Sequence, residues 1–344
     1  MENLDFRSDT VTKPTEAMRE AMARAEVGDD VYGDDPTVNE LQAYAAELTG
    51  MEAALYACSG TMGNLLALLS HCERGQGVMM GVGSHTWKNE GGGIAMFAGL
   101  MPFPLDDSSG VPTTESLHGA FLGGGNVHYA ETTLLTLENT HNSAGGVPAT
   151  PEALAVPARE ARRMGMRVHL DGARIFDACA YFDADVKAYA SEVDSLQICL
   201  SKGLCAPMGS MLCGGAEFIA KARKYRKSLG GGQRQSGIAA AAGLIALRDM
   251  RGRLKEDHAN AALLADLLTN AGIGVDEVPA RTNMVYFTLR SGEPNADALL
   301  SRCGAKGLLI GKAGERRVRM VTHFGLDEAA VRGAAEIVKE AFAQ

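Results

Sequence analysis

TLLTLENTHNSAGGVPATPEALAVPAREARRMGMRVHLD, residues 133–171, holds the unit that decides the fold. It opens on an apolar run, TLLTLEN (133–139), and closes on another, RVHLD (167–171). Between them Pro151 starts an amphipathic segment that predicts a helix over Pro151–Met164. Short apolar runs separated by helices indicate a parallel or mixed sheet covered on both faces. The same texture extends in both directions. Upstream lie AALYA (53–57), a helix from Met62 to His71, GVMMG (77–81), a helix near Asn89–Phe97, a strand near Leu100–Phe103 and a helix near Thr113–Phe121. Downstream lie a short helix, SLQICLS (195–201) and SMLCG (210–214). Helical periodicity also marks Thr15–Ala25 and Pro36–Leu48 near the start of the chain.

Helices dominate from Ala216 to about Ala271, and then the pattern changes. MVYFTL (284–289), LLI (308–310) and VRMVT (318–322) predict strands, with helices at Asn295–Cys303 and Asp327–Ala343. The expected architecture is α/β: a large, mostly parallel, three-layer domain over residues 1–250 and a smaller C-terminal α/β domain over 251–344. The 344 residues agree with about two domains.

Asp and Glu outnumber Lys and Arg by 42 to 33, a formal net charge of −9. So acidic a chain is a poor partner for nucleic acid or an anionic membrane through its general field. The longest apolar run, near Gly237–Leu247, is about half a membrane span. The seven cysteines show no C-x-x-C pair, which predicts reduced thiols, no disulfide framework and no metal site. MENLDFRSDT carries early acidic residues and no apolar core, unlike a secretory signal. A cytoplasmic location is expected.

Three segments can carry chemistry. SGTMGN (59–64) joins a strand to a helix; Ser59, Gly60 and Thr61 offer hydroxyls and unpaired helix N–H groups, which suit a phosphate or simply cap the helix. It lacks the dinucleotide and nucleoside-triphosphate glycine patterns. In HLDGAR (169–174), Asp171 ends a strand that reads as buried. It needs a salt-bridge partner or a protonated ring nitrogen there. In LSKGLCAPMGS (200–210), Lys202 follows an apolar strand and is either a solvated amine or a Schiff-base amine. Phosphate cup, strand-end acid and strand-end lysine in this order are what pyridoxal 5′-phosphate requires.

The sequence resembles the L-threonine aldolases, in the β-eliminating-lyase group of the aspartate-aminotransferase-like (fold type I) pyridoxal-phosphate enzymes. The resemblance rests on RSDTVTKPT (7–15), VGDDVYGDDPTVNELQ (27–42), SGTMGN, SHTWKNE (84–90) and LENTHNSAGG (137–146). It continues through HLDGAR, LSKGL-x-APMGS, GGGQRQ (230–235) and RMVTH (319–323), so it covers nearly the whole chain. Two positions depart from the family: Cys205 stands where glycine is expected, and Trp87–Lys88 where more apolar or aromatic side chains are usual.

The resemblance implies that Lys202 carries the cofactor as a Schiff base and that Asp171 faces its ring nitrogen. Ser59, Gly60 and Thr61 would hold the phosphate, with added charge from Lys227 and Arg234, from a neighbouring subunit if the family pattern holds. His85 would stack on the ring, and His128 would be the second pocket histidine. Arg174, Arg319 and Ser8 would take the substrate carboxylate. The implied activity is reversible retro-aldol cleavage of L-threonine or L-allo-threonine to glycine and an aldehyde. The β-hydroxyl base is His85, His128 or water. A homo-oligomer, dimer or tetramer, with a shared active site is implied. The alternatives are another pyridoxal-phosphate lyase or aminotransferase on the same scaffold, a non-catalytic cofactor-binding protein, and a dinucleotide oxidoreductase.

Overall fold

A computed structural model describes residues 3–278 and 281–343. In chain order the strands are β1 (Leu4–Asp5), β2 (Ala53–Ala57), β3 (Gly77–Gly81), β4 (Met101–Leu105), β5 (Thr132–Glu138), β6 (Arg167–Asp171), β7 (Ser195–Cys199) and β8 (Ser210–Gly214). They continue with β9 (Met284–Thr288), β10 (Leu308–Leu309), β11 (Gly311–Gly314) and β12 (Arg317–Val321). A seven-stranded sheet has the order β2-β8-β7-β6-β5-β3-β4, in which β8 runs antiparallel to both neighbours and the other pairings are parallel.

Alternation along the strands explains the layers. Met79, Leu135, Leu137, Val168 and Leu170 point into one core with Leu154, Ala158 and Ala161 of the helix Pro151–Arg163. Val78, Met80 and Leu134, one position out of phase, point to the opposite face and pack with Leu65 and Leu68 of the helix Gly60–His71. Period-two burial on both faces is what a sheet between two helical layers requires. Polar side chains start the helices: Asp35, Ser59, Thr150, Asn295 and Asp327 each accept a backbone N–H of the first turn.

The second core is separate. It joins Ala261, Leu264 and Leu268 of the helix Leu254–Asn270 to Val285, Phe287, Val318 and Met320 of the antiparallel sheet β11-β12-β9, and to the helix Glu328–Phe342. Phe6 belongs to this core, and β1 pairs in parallel with β10. The N-terminal segment is therefore pinned to the last third of the chain.

Some expected elements shift. The helix near Asn89–Phe97 resolves into a short helix, His85–Lys88, and a wide helical turn, Ile94–Ala98, because Gly91 and Gly92 adopt left-handed φ angles of 61° and 71° between them. Cys205 has φ of 66°, the left-handed region that glycine adopts without cost. That conformation is the physical reason glycine is expected there. Its thiol is buried, and burial pushes it up to about 11. Among the described residues no helix is long and apolar enough to cross a membrane.

Candidate active site

The parallel strands β2, β3, β5, β6 and β7 all end on one edge of the sheet, the edge where α/β proteins assemble ligand sites. Each delivers one functional segment there. β2 leads to Ser59 and the helix Gly60–His71, β3 to His85, β5 ends at Glu138, β6 at Asp171, and β7 leads to Lys202.

Asp171 is buried, and three donors converge on its carboxylate. Asn64 Nδ2 donates at 2.8 Å and the Ala173 N–H at 3.1 Å. Gln197, in the amide orientation that satisfies both its neighbours, donates at 2.9 Å and accepts the Cys199 N–H at 3.2 Å. Asn64 Nδ2 also donates to Glu90 Oε1 at 2.8 Å, and Glu90 Oε1 meets His85 Nδ1 at 3.0 Å. Hydrogen bonding to Glu90 raises His85 above the ordinary histidine value, although burial opposes it. Glu90 is itself raised by its burial and by the Asp171 charge.

Glu138 sets the loops around His85. Its buried carboxylate accepts the His85 N–H at 2.7 Å and the Asn142 N–H at 2.9 Å, and burial raises it. Behind them His141 Nε2 pairs with Asp107 at 2.6 Å, and Asp107 accepts the Gly83 N–H at 2.9 Å. At the other end of the site Ser59 caps its helix by accepting the Met62 N–H at 3.1 Å. Gly60 must be glycine, because a Cβ there would lie 2.6 Å from Cys199 Sγ.

Two cavities meet at this edge. The inner one, about 130 Å³, is lined by Gly60, Thr61, Asn64, Asp171 and Glu90. The outer one, about 590 Å³, is lined by Ser8, Asn142, Tyr286, Arg317 and Arg319, with Lys312 and Arg174. His85 and Lys202 line both. The outer rim is strongly cationic. Arg319 donates to Asn142 Oδ1 at 2.9 Å and to the Arg7 carbonyl at 3.0 Å. Arg317 pairs with Asp276 at 2.8 Å and stacks over the Tyr286 ring at 4.3 Å.

Arg174 is engaged on its inner side. Its Nε and Nη2 donate to the two oxygens of Asp9 at 2.7 and 2.6 Å, and Asp9 is fully buried. Burial pushes Asp9 up, but Arg174, with help from Lys202 and Arg319, holds it well below the usual carboxylate range. The guanidinium expected to grip a substrate carboxylate thus spends two donors on the chain's own N-terminal segment.

Of the sequence-marked residues, Ser8, Gly60, Thr61, His85, Asp171, Arg174, Lys202 and Arg319 gather around these two cavities. His128, Lys227 and Arg234 do not, and Ser59 lines neither cavity, capping instead the helix whose Gly60, Thr61 and Asn64 line the inner one. His128 is exposed on the loop between Phe121 and Thr132, Lys227 is exposed near the end of the helix Ala216–Ser228, and exposed Arg234 pairs with Asp29 at 2.8 Å. Sequence reading assigned no role to Asn64, Glu90 or Gln197. The available signal was a polar residue inside an apolar stretch: Gln197 interrupts SLQIC, all of it buried. The donor set fits the implied cofactor: an acid on the cavity wall, an amine at the mouth, and a helix N-terminus beside them.

The β-eliminating lyase family model matches residues 5–290. A low specificity L-threonine aldolase of Escherichia coli (strain K12) is 46% identical over 320 residues, covering 93% of each chain. A threonine aldolase from Leishmania major superposes with a TM-score of 0.84 at 19% identity, covering 98% of both chains. An aspartate aminotransferase from Thermus thermophilus superposes at 0.73 and 17% identity over 99% of this chain and 92% of that one, which identifies the fold as aspartate-aminotransferase-like. With the family model spanning most of its length and a relative 46% identical over 93% of both chains, the chain belongs to the beta-eliminating lyase family.

Proposed function

We propose that this protein is a pyridoxal-phosphate-dependent aldehyde-lyase that cleaves L-threonine and L-allo-threonine to glycine and acetaldehyde, reversibly. One observation carries the reading: Lys202 and Asp171 face a single small cavity that opens, through Lys202 and His85, onto a larger cation-rimmed one. In this reading Lys202 would hold the cofactor's aldehyde, Asp171 its ring nitrogen, and Ser59, Gly60 and Thr61 its phosphate. When bound, the cofactor supplies an electron sink for the pair left on Cα as the Cα–Cβ bond breaks.

The chain's own residues do the rest. Arg319, already oriented by Asn142 and the Arg7 carbonyl, takes the substrate carboxylate with Ser8 and the remaining edge of Arg174. His85 is the general base. Glu90 engages Nδ1, which leaves Nε2 as the acceptor for the β-hydroxyl proton. Steady-state acetaldehyde release from the four threonine stereoisomers tests the reading. Turnover confined to the two L-isomers is expected, and pyruvate or ammonia as the product instead would overturn it.

The His85–Glu90 pair sets a pH dependence. A base must be neutral to act, and Glu90 raises His85 above 6.5, so kcat/KM should climb with pH through a limb lying above that value. Glu90→Gln keeps an acceptor for Nδ1 and removes the charge. The limb should then move to lower pH; an unmoved limb removes His85 as the titrating base.

We also infer a homodimer or homotetramer. Exposed His128, Lys227 and Arg234 would then serve a neighbouring subunit's site, and exposed apolar side chains such as Tyr32 (77%) and Met96 (72%) would be covered. Light scattering measures the assembly. Seven free cysteines accord with a cytoplasmic location, and the two cores support a large and a small domain, with Phe6 of the N-terminal segment packed in the second core and Leu254 in the first.

A further inference from the structure

A line of polar side chains, buried except for half-buried His71, runs from Asp171 along one face of the sheet to its opposite edge. Asn64 donates to Asp171 at 2.8 Å, His169 Nε2 lies 3.1 Å from Asn64 Oδ1, His169 Nδ1 lies 2.8 Å from Ser195 Oγ, and Ser195 Oγ lies 2.7 Å from His71 Nε2. His71 faces a second cavity of about 720 Å³ on the opposite side of the protein and stacks on Phe218 at 4.3 Å. Sheet register builds the line. His169 pairs with Ser195 and Asp171 with Gln197, two rungs on one face of β6 and β7. Asn64 and His71, seven residues apart, share the face of the helix Gly60–His71 that covers those rungs.

The proton positions follow from Asn64. Its Nδ2 is committed to two carboxylates, Asp171 and Glu90, so its Oδ1 must accept from His169 Nε2–H. Burial pushes His169 down to about 4 and His71 down to about 3, so both rings are neutral at pH 7. Neutral His169 then accepts at Nδ1 from the Ser195 hydroxyl, and Ser195 accepts from His71 Nε2–H. Every donor points the same way, toward Asp171, and aligned hydrogen bonds reinforce one another.

We propose that His169, Ser195 and His71 are positioning residues: a one-directional donor relay that locks the Asn64 amide and, through it, the orientation of the Asp171 carboxylate. The proposal rests on the reading of Asp171 as the acid that faces the cofactor's ring nitrogen. Nothing in the relay touches substrate.

The test uses cofactor-loaded wild type and the variants Ser195→Ala, His169→Leu and His169→Gln, with three readouts: the pH titration of the visible cofactor band, kcat and KM for L-threonine, and histidine ¹⁵N NMR. In wild type, His169 and His71 should both appear neutral and protonated on Nε2. Ser195→Ala and His169→Leu should lower kcat about five- to tenfold, the scale of a lost hydrogen bond between neutral groups. KM should stay within about twofold and the band titration should be displaced. His169→Gln offers an acceptor and a donor at similar spacing and should recover most of the loss. A proton on Nδ1 of His169 in wild type, or unchanged kcat and band titration in Ser195→Ala, overturns the proposal. Should His169→Leu fail to fold, the nearly isosteric Ser195→Ala and the wild-type NMR decide. Wild type with a normal band and relay signals but no acetaldehyde overturns the aldolase reading alone.

Discussion

Replacing Lys202 with alanine is expected to lower acetaldehyde release from L-threonine by about 10⁴-fold or more, the scale on which enzymes lose activity when the covalently acting group is removed. The loss should be chemical rather than structural. Lys202 is only half-buried, at the junction of the two cavities, and its backbone is held independently: the Thr12 hydroxyl donates to its carbonyl at 2.8 Å. Truncation therefore leaves the loop after β7 anchored. Lys202→Arg separates charge from nucleophilicity. A guanidinium keeps the positive charge that helps hold Asp9 ionised but cannot supply a neutral amine. Both variants should melt within a few degrees of wild type and both should be inactive and colourless near 420 nm, roughly where pyridoxal Schiff bases absorb. An arginine or alanine variant that keeps a tenth of wild-type turnover removes Lys202 from the chemistry.

The parts of the fold governed by local chemistry were legible in the sequence. Pro151 after Thr150 starts a helix, and RVHLD is buried on four of its five residues as an apolar run predicts. β11 was not legible, because Gly311, Lys312 and Gly314 carry no apolar alternation and the strand exists through its pairing with β12. The site divides in the same way. Lys202 and Asp171 could be found because a charge at a buried strand end demands an explanation. Their supports could not. Asp9 and Arg174 are 165 positions apart, and Ser195 reads as the bland first residue of a strand until the register sets it beside His169. His128, Lys227 and Arg234 illustrate the converse. Their surroundings are well marked in the sequence, yet no packing in this chain carries them to the cavities.

Asp9→Ala should be strongly destabilising, by about 3–5 kcal/mol, because it strands a buried guanidinium without its counterion. Arg174 is 8% exposed and Asp9 fully buried, with two hydrogen bonds between them and a third from Asn283 Nδ2 to Asp9 at 3.3 Å. The pair also joins the two cores: Phe6 is fixed in the second, and three residues later Asp9 reaches Arg174 beside the helix Ile175–Phe182 of the first. Urea melts at pH 7 measure the loss, and a variant as stable as wild type would show that the pair contributes nothing. The pH dependence has a defined sign. Asp9 is depressed in the folded protein, so its contribution is complete above the ordinary value of 3.8 and is lost as pH falls through and below it. Asp9→Asn, which has no such proton to bind, should therefore show a flatter acid limb than wild type. Replacing both partners, Asp9→Ala with Arg174→Leu, removes the stranded charge and should cost less than Asp9→Ala alone. It would still weaken L-threonine binding, because Arg174 also lines the outer cavity, so the double variant separates the ion pair's share of stability from its share of substrate recognition.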